Sequence, residues 1–155
     1  MSFRVKGLEA DQFVHLYGLS DEELRAQGVL RYRADSSPGF PDRIEMRDAQ
    51  PGEHLLLLNH EHLPVDSPYR SNHAIFVREG ARKAYDEIDQ VPAVMAVRQL
   101  SVRAFDDLGM MRDAALVDGR EAATMFERLL ADPAVSYLHV HNAARGCYSG
   151  RVERA

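Results

Sequence analysis

The fold is decided by residues 97–117, which read VRQLSVRAFDDLGMMRDAALV. Residues 97–105 alternate between apolar and polar positions, as a half-buried strand does. Asp106-Asp107-Leu108-Gly109 then supplies a turn that leads into a second strand over residues 110–117. Because a short turn joins consecutive strands only in an antiparallel hairpin, the stretch favours a mainly antiparallel sheet over the parallel sheet of an α/β protein.

Outward from this hairpin, the chain alternates between short strands and short helical segments. Further strands are predicted over residues 3–8, 29–33, 44–47, 54–59, 74–78 and 135–141. Helical segments are predicted over residues 10–17, 21–27, 80–88 and 119–131. We therefore expect an α+β protein that forms a single globular domain over residues 1–155, with a mostly antiparallel sheet and a few short helices.

Two of the helices carry clear start signals. Ser20 with Glu23 three positions later is a capping box, and Gly28 suits the position just beyond that helix. Asp118 and Glu121 begin the last helix, whose apolar residues recur at helical spacing. The predicted core combines that helix with two strands and contains Leu56, Leu58, Ile75, Val77, Phe126 and Leu130.

Composition excludes several classes of protein. The chain has 155 residues, 45% of them hydrophobic and 28% charged, which excludes a disordered tail, a collagen-like fibre and a coiled coil. Its 19 Lys and Arg against 24 Asp and Glu give a net charge of −5. Since a nucleic-acid partner requires a basic surface, no nucleic acid is expected as a partner.

The chain also lacks the features of a secreted or membrane protein. Residues 1–7 contain no apolar segment of the kind found in signal peptides. The longest run of large apolar residues is Leu55–Leu58, whereas a membrane helix needs roughly 20 residues. Cys147 is the single cysteine and suits a reducing compartment. We expect a cytoplasmic protein with no membrane partner.

Three groups of residues carry a resemblance to a known family. They are Pro38-Gly39-Phe40-Pro41 with Arg43, Asp48-Ala49 and Gly52-Glu53; Ser67-Pro68-Tyr69-Arg70 with Ile75-Phe76-Val77-Arg78; and His141-Asn142-Ala143 with Arg145-Gly146-Cys147-Tyr148, Arg151 and Arg154. Together these resemble the bacterial family catalogued as domain of unknown function 1203, over essentially the whole chain. The resemblance implies no established activity. The resemblance suggests a cysteine at the position that Asp42 occupies in this chain. Because the residue here is Asp42, this protein cannot use a pair formed by that cysteine and Cys147.

The C-terminal segment is dense in polar chemistry. His139, His141, Asn142, Arg145, Cys147, Tyr148 and Arg151 fall within thirteen positions around a turn at Gly146. We assign His141 as an acid or base, Cys147 as a candidate nucleophile and Asn142 as an orienting donor, with Arg145 and Arg151 as anchors for an anion. The plainer alternatives are a buried cysteine that acts as a small hydrophobe and arginines that pair with Asp or Glu.

Two more segments are candidates to complete this site. Asn59 ends the run of four leucines, and a polar group at the end of a buried strand must find a partner. Tyr69 and Arg70 lie on a loop that enters the next apolar strand, although a tyrosine there is more often simply packed. We include His62 and His139 among the ligand-binding candidates.

Two H-x-H patterns raise metal binding as an alternative. These are His60-Glu61-His62 and His139-Val140-His141, and on a strand residues two apart share a face. Four neutral imidazoles suit zinc, iron or nickel, and Glu53, Glu61 or Asp66 would add an oxygen ligand. Histidines in hydrogen-bonded loops are commoner than ligands, so we predict no metal, and if one binds, its ligands are these four histidines.

Three functions therefore stay open. The first is a site for a small molecule or anion, with or without catalysis, built from the C-terminal turn and the loops after Asn59 and Ser67. The second is a non-catalytic interaction protein, as a homodimer, with Tyr69, Tyr148 and the arginines as interface anchors. The third is a histidine-rich metal-binding protein. The sequence contains none of the common nucleotide, hydrolase or zinc-protease motifs, so it identifies no cofactor.

Overall fold

A computed structural model describes all 155 residues and contains nine strands in two sheets. The strands are β1 (Phe3–Lys6), β2 (Leu30–Arg33), β3 (His54–Leu63), β4 (Ser71–Arg78), β5 (Asp86–Ile88), β6 (Gln99–Phe105), β7 (Met111–Asp118), β8 (Tyr137–Asn142) and β9 (Tyr148–Arg154). The helices are α1 (Asp21–Ala26), α2 (Ala93–Ala96) and α3 (Ala122–Leu130), with short 3-10 turns at Ala10–Gln12, Val14–Leu16 and Gly119–Glu121. Every strand pair is antiparallel, which confirms the predicted fold class.

The larger sheet has six strands in the order β5-β1-β9-β8-β6-β7. The hairpin predicted over residues 97–117 forms its β6–β7 edge, with Leu100 opposite Val117. One face of the sheet packs against α3, whose predicted apolar stripe is buried through Phe126 and Leu130. Phe3 meets Phe126 edge-on at 5.4 Å between ring centroids, which joins the first strand to this helix.

The smaller sheet has three strands in the order β2-β3-β4. Its apolar face forms a second core in which Leu56, Leu58, Ile75 and Val77 pack with the N-terminal turns and α1. All six predicted core residues are therefore buried. The capping box of α1 also forms as predicted, because Ser20 Oγ accepts from the Glu23 amide and the Glu23 carboxylate accepts from the Ser20 amide.

Two predicted elements are wrong. No helix forms over residues 80–88; instead Asp86–Ile88 is an edge strand that pairs with β1. Residues 44–47 are not a strand but a loop in which Met46 has a positive φ of 56°. The two errors are linked, since the amide of Tyr85 donates to the carbonyl of Ile44 and its carbonyl accepts from Gly7. Contacts between distant segments override the helical spacing of residues 81–88.

The C-terminal segment enters the larger sheet rather than lying on its surface. Strand β9 lies between β1 and β8, and its Gly150 packs closely, since a Cβ there would lie 2.5 Å from the terminal methyl of Met46 and would require that side chain to shift. Arg154 closes the segment by donating to the carbonyls of Leu130, Asp132 and Val135 at the end of α3. None of the helices has the length and apolar character that a membrane span requires.

Candidate functional site

The second face of the larger sheet carries polar and aromatic side chains instead of an apolar core. Residues that face one another on antiparallel strands share a side of the sheet. His139 of β8 is flanked in this way by Arg103 of β6 and Arg151 of β9. His141 is flanked by Ser101 and Tyr148. The alternate residues, such as Val140, point toward α3. This face therefore concentrates the imidazoles of the H-x-H pattern in one place.

His62 of the smaller sheet closes over these two histidines. Its Nδ1 lies 3.4 Å from the Nδ1 of His139, and its ring centroid is 4.9 Å from that of His141. One ring nitrogen from each of the three residues lies within 4.8 Å of the other two. The Tyr148 ring stacks on His62 at 5.0 Å with 8° between the planes. We call His62, His139 and His141 the histidine cluster; it lies where the two sheets meet.

Two strand irregularities aim the imidazoles of this cluster. The pairing of β3 with β4 shifts register between His60 and Leu63, and the pairing of β8 with β9 shifts between Val140 and His141. A bulge adds a residue to one strand and so redirects its side chains. His60, which keeps its regular pairing with His73, lies outside the cluster, with its ring centroid 6.0 Å from that of Phe13 and 6.3 Å from that of Tyr148. Of the four predicted metal ligands, three converge.

Burial keeps the histidine cluster uncharged. It lowers the pKa of His139 to about 2, that of His141 to about 3 and that of His62 to about 4, with smaller contributions from neighbouring imidazoles and from Arg103 and Arg151. The His141 Nδ1 lies 2.8 Å from the Gly146 carbonyl, which can only accept, so this nitrogen carries the proton. Nε2 of His141 and Nε2 of His62 are buried without a hydrogen-bond partner.

A pocket of about 950 Å³ opens beside the cluster. Its walls come from β4, from the loop that contains Phe40 and from the turn between β8 and β9. Its polar lining residues are Arg43, His73, Arg98, Gln99, Asn142, Arg145 and Cys147. His73 links the pocket to the cluster, since its ring is 5.8 Å from that of His62 and 6.0 Å from that of His141. A pocket of this volume accommodates a metabolite-sized molecule.

Cys147 lies in this pocket within reach of a buried guanidinium. Arg43 is 2% exposed, and its Nη2 donates to Cys147 Sγ at 3.2 Å. Its other hydrogen bonds go to the carbonyls of Tyr148 and Pro41, so no carboxylate accepts from it. The side-chain amide of Asn142 donates to the same sulfur at 3.4 Å. Burial lowers the pKa of Arg43, and the sulfur acts in the opposite direction.

The carboxylate of Asp42 is buried and bound by backbone amides. Its carboxylate is 1% exposed and accepts from the amides of Glu45 and Arg78, both at 2.7 Å. Burial raises the pKa of Asp42. Although Asp42 adjoins Arg43 in the chain, its oxygens are engaged by backbone amides of the loop and of β4. This residue therefore fixes the segment that positions Arg43.

The structure distributes the remaining candidates over separate places. Asn142, Arg145 and Cys147 line the pocket together, whereas Tyr148 is buried against His62 and is not available as an interface anchor. Arg151 packs over the Tyr137 ring at 4.1 Å and pairs with Glu153.

Three candidates from the other segments lie outside both the cluster and the pocket. Asn59 is exposed, so it does not need the partner expected for a buried polar group. Tyr69 and Arg70 are also exposed, and Arg70 pairs with Glu61 at 3.1 Å. Glu53 pairs with Arg47, and the cluster contains no carboxylate ligand.

Sequence reasoning missed the importance of Arg43 and Arg103. Arg43 was visible only as part of the segment shared with the family, and it meets Cys147 across 104 positions of the chain. Arg103 lies beside His139 through strand pairing, and its Nε donates to Ser101 Oγ at 3.3 Å rather than to a carboxylate. No local pattern marks either arginine.

Comparison with known proteins gives one match. A family model described as "Protein of unknown function (DUF1203)" matches residues 39–154, which is most of the chain and includes both the histidine cluster and the Cys147 pocket. No curated protein and no solved structure matches the chain.

Proposed function

Since the chain belongs to the DUF1203 family, whose description assigns no activity, we propose from the site alone that this protein binds a small organic anion in the Cys147 pocket, with Cys147 as its reactive group. One observation carries the proposal: the buried Arg43 guanidinium donates to the sulfur of a residue that lines a pocket. A buried cation without a carboxylate partner favours negative charge within its reach, and Arg43 lines the pocket beside Cys147.

The charge of the pocket supports an anionic ligand. Arg98 is already neutralised, because its guanidinium binds both oxygens of Asp48 at 2.6 and 3.0 Å. Arg145 is exposed at the pocket rim and forms no ion pair. A guanidinium in that position is free to bind a carboxylate or a phosphate through two parallel hydrogen bonds. The ligand's charged end is therefore assigned to Arg145.

The uncharged part of the ligand has an apolar surface to contact. Tyr32, Phe40 and Phe76 line the pocket, and the Phe40 and Phe76 ring centroids are 5.5 Å apart. Asn142 lines the pocket and its side-chain amide donates to Cys147, so it is assigned the role of orienting the sulfur. His73, rather than His141, is the histidine that lines this pocket.

Protection of Cys147 from alkylation tests the proposal. Because the chain has a single cysteine, iodoacetamide labelling measured by intact mass reports on this site alone. A panel of phosphate esters and short carboxylates is added to the wild type, to Arg145→Ala and to Arg25→Ala, in which an exposed arginine of α1 is removed. We expect protection in the wild type and in Arg25→Ala, and its loss in Arg145→Ala.

Two results would contradict this proposal. One is that no anion of the panel slows the labelling of the wild-type protein. The other is that protection persists unchanged in Arg145→Ala, which would place the anion elsewhere.

A further inference from the structure

We infer that the histidine cluster is a binding site for one divalent transition-metal ion, with His62, His139 and His141 as its three protein ligands. The site is separate from the Cys147 pocket and does not depend on the function proposed for it. Its basis is the convergence of three imidazoles from two different sheets, in an arrangement that leaves Nε2 of His141 buried and unpartnered.

The spacing of the nitrogens fits a tetrahedral ion. Two nitrogens that each lie about 2.0–2.1 Å from zinc at a tetrahedral angle are about 3.3 Å apart. The Nδ1 atoms of His62 and His139 are 3.4 Å apart. The remaining distance within the cluster, up to 4.8 Å, requires a shift of one imidazole ring by about the length of a bond. Such a shift is within the reach of side-chain rotation.

His141 has the hydrogen bond typical of a metal-bound histidine. Its Nδ1–H donates to the Gly146 carbonyl at 2.8 Å, which fixes the tautomer and leaves the lone pair on the buried Nε2. A backbone carbonyl on the non-coordinating nitrogen commonly orients a ligand in this way. Gly146 itself has a φ of 78°, so a glycine is favoured at the position that supplies this carbonyl.

Packing alone does not account for the arrangement. Leaving a buried polar atom without a partner costs about 1–3 kcal/mol, and Nε2 of His141 is such an atom. An ion bound to the His141 Nε2 relieves that cost directly.

The charges around the histidine cluster indicate which kind of fourth ligand the ion would take. The cluster contains no carboxylate, and of the two arginines that flank His139, Arg151 is paired with Glu153 while Arg103 forms no ion pair. An ion held by three neutral imidazoles keeps its full positive charge, so with Arg103 nearby an anion or a hydroxide is favoured at the open position. Three imidazoles with an open fourth position suit zinc, and imidazole ligands also suit copper, iron and nickel.

Zinc binding to the purified chain tests the inference. The protein is treated with chelator, dialysed and titrated with zinc by isothermal calorimetry at pH 7.5. We expect one ion per chain in the wild type. The variant His141→Gln should bind zinc at least about 100-fold more weakly, the upper end of the losses caused by removing supporting partners of a metal site. His60→Gln is the matched control, since it removes a neighbouring histidine outside the cluster, and should bind as the wild type does.

A measurement on the wild type covers the case in which His141→Gln does not fold. Spectra that correlate ring protons with imidazole nitrogens resolve the seven histidines of the chain. Zinc should move the ring nitrogens of His62, His139 and His141 and leave those of His15 and His54 in place. The inference is overturned if the wild type does not bind zinc stoichiometrically, if His141→Gln folds and binds it equally well, or if the shifted resonances belong to other histidines.

Discussion

The Nδ1 atoms of His62 and His139 lie 3.4 Å apart, although the two residues are separated by 77 positions and belong to different sheets. Side chains alone make this connection, because β3 and β8 form no backbone hydrogen bonds with each other. The junction of the sheets is built here from imidazole and phenol rings, and Leu63 of β3 packs beside them on Phe105 and Tyr137 of the larger sheet. The Cys147 pocket opens next to it, with His73 between the two.

The reactivity of Cys147 should depend on Arg43. Replacing Arg43 by Gln removes the positive charge that donates to the sulfur at 3.2 Å, which should slow the attack of that sulfur on an alkylating agent. A hydrogen bond to a charged group contributes about 1.5–3 kcal/mol, so the alkylation rate at neutral pH should fall about 10- to 100-fold. The rate is measured with iodoacetamide by intact mass, after circular dichroism has shown that the variant is folded. Arg31→Gln, which removes a partly buried arginine far from the sulfur in the chain, should leave it unchanged.

The α3 stripe should contribute strongly to stability. Leu130 is fully buried, and Leu130→Ala should lower the free energy of unfolding by about 2–5 kcal/mol, because it removes apolar contacts and leaves a cavity. Leu116→Ala provides the control, since Leu116 is 72% exposed and should change stability by less than about 0.5 kcal/mol. Urea unfolding measures both. Equal effects of the two substitutions would refute the packing of α3 on the larger sheet.

Arg154 should hold the C-terminal strand against the end of α3. Its guanidinium donates to the carbonyls of Leu130, Asp132 and Val135, two of which lie at or just beyond the end of that helix. Because charged donors near a helix C-terminus also interact favourably with its dipole, Arg154→Ala should cost about 2 kcal/mol of stability. Arg128→Ala, an exposed arginine on α3 itself, should cost less than about 0.5 kcal/mol. A thermal melt that ranks the two variants in the opposite order would contradict this prediction.

The ion pair of Glu53 with Arg47 should stabilise the fold at neutral pH and lose this effect in acid. Hydrogen bonds from Arg47 lower the pKa of Glu53 from 4.5 to about 2. A carboxyl whose folded pKa is depressed stabilises the fold fully above the unfolded pKa, and that contribution is lost as the pH falls toward the folded pKa. Since both side chains are partly exposed, Glu53→Gln should cost about 1 kcal/mol at pH 7.

The difference between the wild type and Glu53→Gln should shrink as the pH is lowered from about 4.5 toward 2. Urea unfolding at a series of pH values measures it. Glu127→Gln, which removes an exposed carboxyl of α3 that has no ion-pair partner, is measured alongside as the control for loss of a surface charge. A constant difference for Glu53→Gln across this range would show that the loss does not arise from the ion pair with Arg47.

The sequence alone determined the elements whose signals are local. The hairpin over residues 97–117, the capping box at Ser20 and the stripe through Phe126 and Leu130 were all predictable, because turn chemistry, caps and periodicity act over a few positions. The same periodicity failed over residues 81–88, where the backbone of Tyr85 bonds to the distant Gly7 and Ile44. There the sheet offers hydrogen bonds that compete with those of a helix.

For the candidate site, too, part of the arrangement could be predicted from the sequence and part depends on the tertiary structure. The H-x-H pattern of His139 and His141 places both imidazoles on one face of β8, since strand side chains alternate with period two. The presence of His62 in the cluster depends on how β3 packs against the larger sheet, and the meeting of Arg43 with Cys147 depends on the approach of segments 104 positions apart. Such contacts depend on the packing of two sheets against each other, which no short window of sequence encodes. The tertiary structure therefore decided which of the polar residues share a site.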